Sequence, residues 1–102
     1  MHGVLEIAAD HPAYAGHFPA LPVLPGAVLL DQALAAVERA RHIDVREWQI
    51  SVAKFLATVR PGDALQLEHE MTDNGIIRFT IRNSQRAVAS GTLSRKAPAQ
   101  TA

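Results

Sequence analysis

The chain has 102 residues, no cysteine, and ten basic residues balanced by ten acidic ones. This length predicts one domain with a modest core, which a partner subunit would help to bury. The neutral balance argues against a protein of nucleic acids or membrane surfaces, and the lack of cysteine excludes disulfides and thiolate metal ligands. The start of the chain lacks a secretory signal pattern and no apolar stretch could span a bilayer, so we expect a soluble cytoplasmic protein.

A short strand is predicted at residues 4–8, and a proline-rich loop follows it. Four of the six prolines fall in this loop, namely Pro12, Pro19, Pro22 and Pro25. Each proline fixes its own φ and restricts the residue before it, so we expect the loop to be rigid. The loop carries His17, and a rigid loop is where a catalytic side chain is best held.

A long helix is predicted next, because good helix formers run from Gly26 to about Arg41. Its first half, residues 27–36, is apolar nearly all round except for Asp31 and Gln32, whereas its second half gains charges. We therefore expect the N-terminal turns to be buried. Desolvation in such an apolar turn would disfavour the charged form of Asp31, which suits an acid.

Only strands are predicted after the helix. Trp48, Ile50 and Val52 alternate with polar or small residues, and a slip of phase near Lys54 and Phe55 predicts a bulge. Leu65, Leu67 and Met71 alternate with polar residues, a turn signal at 73–75 predicts a hairpin into residues 77–82, and residues 86–95 form the last strand. This order predicts an α+β fold in which a curled antiparallel sheet covers one helix, with residues 1–96 as a single domain and 97–102 as a disordered tail.

Two ordered motifs resemble those of a known family. The first comprises Gly16-His17-Phe18-Pro19, Pro22-Val23-Leu24-Pro25-Gly26 and Asp31, and the second comprises Lys54-Phe55 and Val59-Arg60-Pro61-Gly62-Asp63. Together they resemble the hotdog-fold 3-hydroxyacyl-acyl-carrier-protein dehydratases, which include the beta-hydroxydecanoyl and hydroxymyristoyl dehydratases, over about residues 10–95. The resemblance implies a hotdog fold, with one helix wrapped by a curled five-stranded sheet. It also implies a homodimer in which the histidine of one subunit faces the acid of the other across a tunnel for the acyl chain.

Two positions depart from the family pattern. Asp31 stands where most short dehydratases of this type carry glutamate, and aspartate is instead found in the dehydratase/isomerase branch and in some dehydratase-like proteins of aryl polyene pathways. Ala20 replaces a glycine that is common after the His-Phe-Pro triplet. These departures leave the subfamily open, but they keep the acid/base pair.

The chemistry of dehydration assigns roles to these residues. The reaction removes a proton from C2 of a 3-hydroxyacyl thioester, expels the hydroxyl from C3, and places negative charge on the thioester oxygen. We predict His17 as the base, because its pKa is ordinarily near neutral, and Asp31 as the acid that binds the hydroxyl. The N–H of Gly26 has no intrahelical acceptor at the helix start, so it is the predicted oxyanion donor. The remaining predicted substrate-binding residues are Gly16, Phe18, Pro25 and Tyr14.

Partners and cofactors follow from the same pattern. The substrate would be a thioester of acyl carrier protein or of coenzyme A, and a heterodimer with another hotdog subunit is an alternative to the homodimer. We expect no metal and no cofactor, because the other histidines lack ligand spacing and are assigned to the surface. These histidines are His2, His11, His42 and His69. A contact with an acidic carrier protein is assigned to four basic residues, Arg39, Arg41, Lys54 and Arg60.

Two other functions are compatible with the sequence. A hotdog thioesterase also needs a carboxylate on the central helix, although the Gly-His-Phe-Pro loop favours dehydration. A non-catalytic subunit that binds acyl carrier protein or completes a heterodimer is the second alternative. Fold resemblance does not decide among the three.

Overall fold

The computed structural model describes residues 1–7 and 24–96 of the chain. Within these ranges the elements are β1 (His2–Leu5), α1 (Gly26–Arg41), a 3₁₀ turn (Val45–Glu47), β2 (Trp48–Phe55), β3 (Leu65–Met71), β4 (Ile77–Arg82) and β5 (Ala87–Arg95). The helix is confirmed at its predicted bounds. The first strand begins earlier than predicted and ends at Leu5, and the predicted tail lies outside the described residues.

The five strands form one antiparallel sheet in the order β1-β3-β4-β5-β2. The β3–β4 hairpin turns at the predicted place, where Gly75 adopts a φ of 78° that favours glycine. Register pairs Leu67 with Ile81, and Ile81 with Ala89, so buried side chains of neighbouring strands share one face. The predicted α+β architecture, a curled five-stranded sheet and one helix, is confirmed.

Helix α1 buries one stripe of side chains against this face of the sheet. Leu29, Ala33 and Val37 are buried at intervals of four residues, and they belong to the same core as the strand residues. The helix ends at Arg41 because His42 takes the left-handed conformation, with φ 55°, and donates its N–H to the carbonyl of Glu38. In the described ranges, no helix is long and apolar enough to cross a membrane.

Strand β2 differs from its prediction. Trp48 is buried, but Ile50 and Val52 are 38% and 48% exposed, so the expected alternation of buried and exposed residues is wrong. The register shift lies between Ile50 and Val52, rather than near Lys54 and Phe55. These side chains are exposed because β2 is an edge strand, which pairs only with β5 inside the described sheet.

Strand β3 holds a second correction, because His69 is buried with only 5% exposure. The sequence, in which His69 lacks metal-ligand spacing, predicts a surface position instead. His69 follows Leu65 and Leu67 at the period of a strand, so its side chain lies on the face that packs toward the core. Met71, which was expected on that buried face, is 47% exposed at the end of the strand.

Candidate active site

The structure describes the helix side of the predicted site. Asp31, Gly26 and Pro25 lie on α1 or immediately before it. The other predicted residues, His17, Gly16, Phe18 and Tyr14, lie outside the described residues, as does His11. Their roles therefore stay predictions.

Pro25 and Gly26 form the start of α1. Pro25 has an extended ψ of 141°, and its carbonyl accepts hydrogen bonds from the N–H groups of Val28 and Leu29 at 3.0 and 3.1 Å. Gly26 is the first helical residue, so its N–H points away from the helix and has no acceptor within it. The positive end of the helix dipole lies at the same place. This geometry suits a donor to an oxygen that gains negative charge.

The ring of Phe55 lies directly against Gly26. A Cβ added at position 26 would lie 2.6 Å from Cε1 and 2.8 Å from Cζ of Phe55, which is closer than real side-chain contacts. Glycine is therefore needed at position 26 while the ring keeps its place. This contact brings together the two motifs that carry the family resemblance. Phe55 belongs to the second motif, but no local sequence pattern reports its contact with Gly26, which lies 29 residues earlier.

Backbone hydrogen bonds fix the chain segments that surround this contact. The N–H of Leu24, which enters α1, donates to the carbonyl of Val59 at 2.8 Å. After β2, the N–H groups of Leu56 and Ala57 both donate to the carbonyl of Val88, at 2.9 and 3.2 Å. A groove of about 380 Å³ opens between these segments, and its lining is mainly apolar. The lining residues are Leu24, Gly26, Ala27, Leu29, Phe55, Ala57, Thr58 and Val59.

Asp31 lies further along α1, on its exposed side. Five residues separate it from Gly26, which corresponds to about 7.5 Å along the helix axis. The sequence predicts that this carboxylate is buried in an apolar turn, but the residues that the structure describes do not bury it. The two ion pairs in that part, Arg46–Asp44 and Arg95–Glu47, do not involve Asp31. The carboxylate is thus placed at the surface of the single chain, beside the partly buried Leu34 and Ala35.

The opposite end of α1 carries a polar contact that the sequence did not reveal. Arg41 Nε donates to Nδ1 of His69 at 2.8 Å, and Arg41 Nη2 donates to the carbonyl of His69 at 3.3 Å. Burial of the imidazole, and then the neighbouring guanidinium, lower the pKa of His69 from its ordinary value. Within the chain the side chain of Arg41 thus contacts β3, and the contact of Arg41 with a carrier protein stays a prediction. Across residues 1–7 and 24–96 no cluster of metal-ligating side chains is present.

One long helix against a curled five-stranded antiparallel sheet, with a carboxylate near the helix start, defines a protein of the hotdog class. Residues 1–92 match the sequence model of the ApeI-like family, which is described as ApeI dehydratase. The match covers most of the chain, so the chain belongs to the ApeI-like dehydratase family. The resemblance to hotdog dehydratases that the two motifs predicted is thereby confirmed.

Curated relatives agree with this family. The chain is 38% identical over 78 residues to the 3-hydroxyacyl-[acyl-carrier-protein] dehydratase FabZ of Alkaliphilus metalliredigens, with 69% of this chain and 52% of the relative aligned. It is also 38% identical over 78 residues to FabZ of Bacillus cereus, with 69% and 54% aligned. The chain thus spans about half the length of the curated relatives that it matches.

Solved structures share the fold. The dehydratase heterocomplex ApeI:P from Xenorhabdus doucetiae matches with a TM-score of 0.72 at 22% identity, covering 91% of this chain and 83% of that one. An uncharacterised protein from Erwinia carotovora matches with a TM-score of 0.71 at 23% identity, covering 92% and 82%. A thioesterase from Thermus thermophilus, solved with coenzyme A and zinc, matches with a TM-score of 0.65 at 14% identity, covering 95% and 79%. At these identities the matches show the fold alone.

Proposed function

We propose that this protein dehydrates a 3-hydroxyacyl thioester, carried by acyl carrier protein or coenzyme A, to the trans-2-enoyl thioester. The observation that carries the proposal is the contact between Phe55 and Gly26. It joins both dehydratase motifs at the start of the helix that bears Asp31. Relatives at 38% identity that are named as 3-hydroxyacyl-acyl-carrier-protein dehydratases support the substrate class.

The proposed mechanism divides the reaction among three groups. His17 takes a proton from C2, and the electron pair of that C–H bond forms the C2–C3 double bond. Asp31 binds the C3 hydroxyl and supplies the proton with which it leaves as water. The N–H of Gly26 donates to the thioester oxygen, where negative charge builds up as C2 loses its proton. A donor placed there in advance needs no reorganisation during the reaction.

A second hotdog subunit completes the proposed site. Asp31 is exposed in the single chain, and the edge strand β2 exposes Ile50, Val52 and Phe55, followed by Leu56. An exposed apolar edge strand is a surface that favours pairing with another chain. A second copy of this chain would cover the edge and help to exclude water from the site. A different hotdog protein is the alternative, because a structural relative is described as a dehydratase heterocomplex.

The test is product formation from a medium-chain 3-hydroxyacyl-acyl-carrier protein, followed by mass spectrometry. We expect a mass loss of one water with the unmutated protein, and a strongly reduced rate of product formation with His17→Ala or Asp31→Asn. Two variants are matched controls. His2→Ala changes an exposed histidine on β1, and Asp73→Asn changes an exposed aspartate in the β3–β4 turn. Both controls should retain activity.

Other products would point to other functions. Release of the free acid would identify a thioesterase instead. No product over several chain lengths, with product appearing only after a second hotdog protein is added, would identify a subunit that needs a partner. Full activity of Asp31→Asn would overturn the proposed role of this carboxylate.

A further inference from the structure

We propose that Phe55 is a specificity-determining residue, whose ring excludes 3-hydroxyacyl thioesters that are branched at C2. The inference rests on the proposed dehydratase function and adds a substrate preference to it. It concerns the part of the acyl chain next to the thioester, rather than its far end. The ring, and not the carboxylate or the histidine, would select between linear and branched chains.

The distances place the ring beside Gly26, the proposed donor to the thioester oxygen. The two ring atoms nearest to the Cβ position of Gly26 lie 2.6 and 2.8 Å from it. Because Cβ and the backbone nitrogen share one Cα, about 2.5 Å separates them, so the ring lies within about 5 Å of the Gly26 nitrogen. A thioester oxygen bound to that N–H lies about 2.9 Å from the nitrogen. A thioester held in this way would have its C1 and C2 atoms at the end of the groove that the ring borders.

The ring also forms a wall of the groove that leads to Gly26. Among the described lining residues Phe55 is the one aromatic side chain, and the others are aliphatic or small. The ring is among the residues that line the groove, and at 53% exposure it is not withdrawn into the core. A methyl branch at C2 would need more room on the side that the ring borders than a linear chain needs.

The backbone that carries the ring is held on both sides. Phe55 pairs with Ala89 on β5, and the following N–H groups of Leu56 and Ala57 are bonded to the carbonyl of Val88. The strand therefore cannot retreat to admit a branch without losing hydrogen bonds. Relief has to come from the side chain itself. Shortening that side chain is thus the direct way to test the inference.

The chemistry permits the branched substrate. A 2-methyl-3-hydroxyacyl thioester keeps one hydrogen at C2, so base removal of this proton and loss of the C3 hydroxyl as water still form the C2–C3 double bond. Discrimination would come from fit alone. A single methyl group in an apolar site changes kcat/KM by about 10–200-fold.

The experiment compares 3-hydroxyoctanoyl and 2-methyl-3-hydroxyoctanoyl thioesters of acyl carrier protein, with both C2 epimers of the latter. The unmutated protein, Phe55→Leu and Phe55→Ala are assayed by mass spectrometry. We expect the ratio of kcat/KM for linear over branched substrate to fall at least tenfold in Phe55→Ala, and by less in Phe55→Leu. Met71→Ala, which shortens an exposed apolar side chain at the end of β3, should leave the ratio unchanged. A merely structural role of Phe55 would lower both rates together and leave the ratio unchanged.

Each remaining outcome decides the matter. An unchanged ratio in both Phe55 variants, with the linear substrate still dehydrated, overturns this inference and leaves the dehydratase function standing. Equal use of both substrates by the unmutated protein does the same. No dehydration of either substrate by the unmutated protein overturns the function and the inference together. If Phe55→Ala does not fold by circular dichroism, the ratio in Phe55→Leu decides.

Discussion

Arg41 Nε, at the end of α1, lies 2.8 Å from Nδ1 of the buried His69 on β3. Arginine can only donate, so Nδ1 of His69 must be the unprotonated acceptor and the imidazole must be neutral. On the helix, Arg41 follows the buried Leu29, Ala33 and Val37 at the same interval of four residues. On the strand, His69 follows the buried Leu67 at the interval of two residues. It therefore joins the C-terminal end of the helix to the sheet, away from the proposed site.

This contact predicts a loss of stability in mild acid. Burial and Arg41 lower the pKa of His69 in the folded protein, so below about pH 6.5 the unfolded chain takes up a proton more readily than the folded one. The free energy of unfolding should be unaffected by this group above pH 6.5. It should fall as the pH drops below 6.5 toward the folded-state pKa, by at most about 1.4 kcal/mol per pH unit.

Urea denaturation at pH 7.5 and 5.5 measures this loss, and His69→Gln is the comparison. Glutamine keeps an acceptor for Arg41 but does not titrate. We expect a smaller decrease between the two pH values in His69→Gln than in the unmutated protein. The same decrease in both proteins would show that His69 does not carry the effect.

Gly26→Ala should destabilise the protein because the new methyl group meets the ring of Phe55. The ring is exposed and can turn aside, so we expect a cost of about 1 kcal/mol. In a Phe55→Ala background the same substitution should be neutral or slightly stabilising, since alanine favours a helix over glycine. A double-mutant cycle by urea denaturation measures the difference. An equal cost in both backgrounds would exclude the ring as the cause.

Gly91→Ala should be more costly than Gly26→Ala. Its Cβ would lie 2.6 Å from both the carbonyl oxygen of Val52 and Cζ of the buried Phe79. Neither the paired backbone nor a core ring can move away freely, so we expect a loss of about 2–4 kcal/mol. Thermal unfolding of this variant beside Ser90→Ala, its neighbour on β5, gives the comparison. Similar melting temperatures for the two variants would contradict the close packing.

Asp31→Asn should separate activity from stability. The side chain is exposed in the single chain, so we expect the free energy of unfolding to change by less than about 0.5 kcal/mol. The rate of dehydration should fall by about 10²–10⁴-fold, because asparagine cannot supply the proton that the leaving hydroxyl needs. Single-turnover kinetics and urea denaturation on the same preparation check both parts. A large loss of stability would assign Asp31 a structural role.

Val52→Lys should weaken the proposed association through β2. Val52 is 48% exposed on the edge strand, and a charged side chain there opposes burial against another chain. We expect sedimentation velocity to show a dimer for the unmutated protein and a shift toward the monomer for this variant. Val4→Lys, on the opposite edge strand β1, should leave the association unchanged. A dimer that resists Val52→Lys but not Val4→Lys would place the interface at β1.

Local patterns in the sequence were sufficient for much of the fold. The apolar stripe and the run of helix formers determined α1 from Gly26 to Arg41, and alternation around the turn at 73–75 determined the β3–β4 hairpin. The two motifs determined the family. They also identified Asp31 and Gly26 as candidate site residues on α1, because a motif is recognised from its residues and their order, without knowledge of the packing around it.

Three features were decided only by the tertiary structure. Strand β2 lies at an exposed edge of the sheet, His69 is buried beside Arg41, and the ring of Phe55 lies against Gly26. Periodicity reports which residues of one element share a face, but it carries no information on which element covers that face. Edge position, burial and contacts across the chain depend on how the strands are ordered in the sheet and where the helix lies upon it. For this reason the sequence predicted the residues of the candidate site, whereas the contact of Phe55 with Gly26 and the backbone bonds around it determined the shape of the groove.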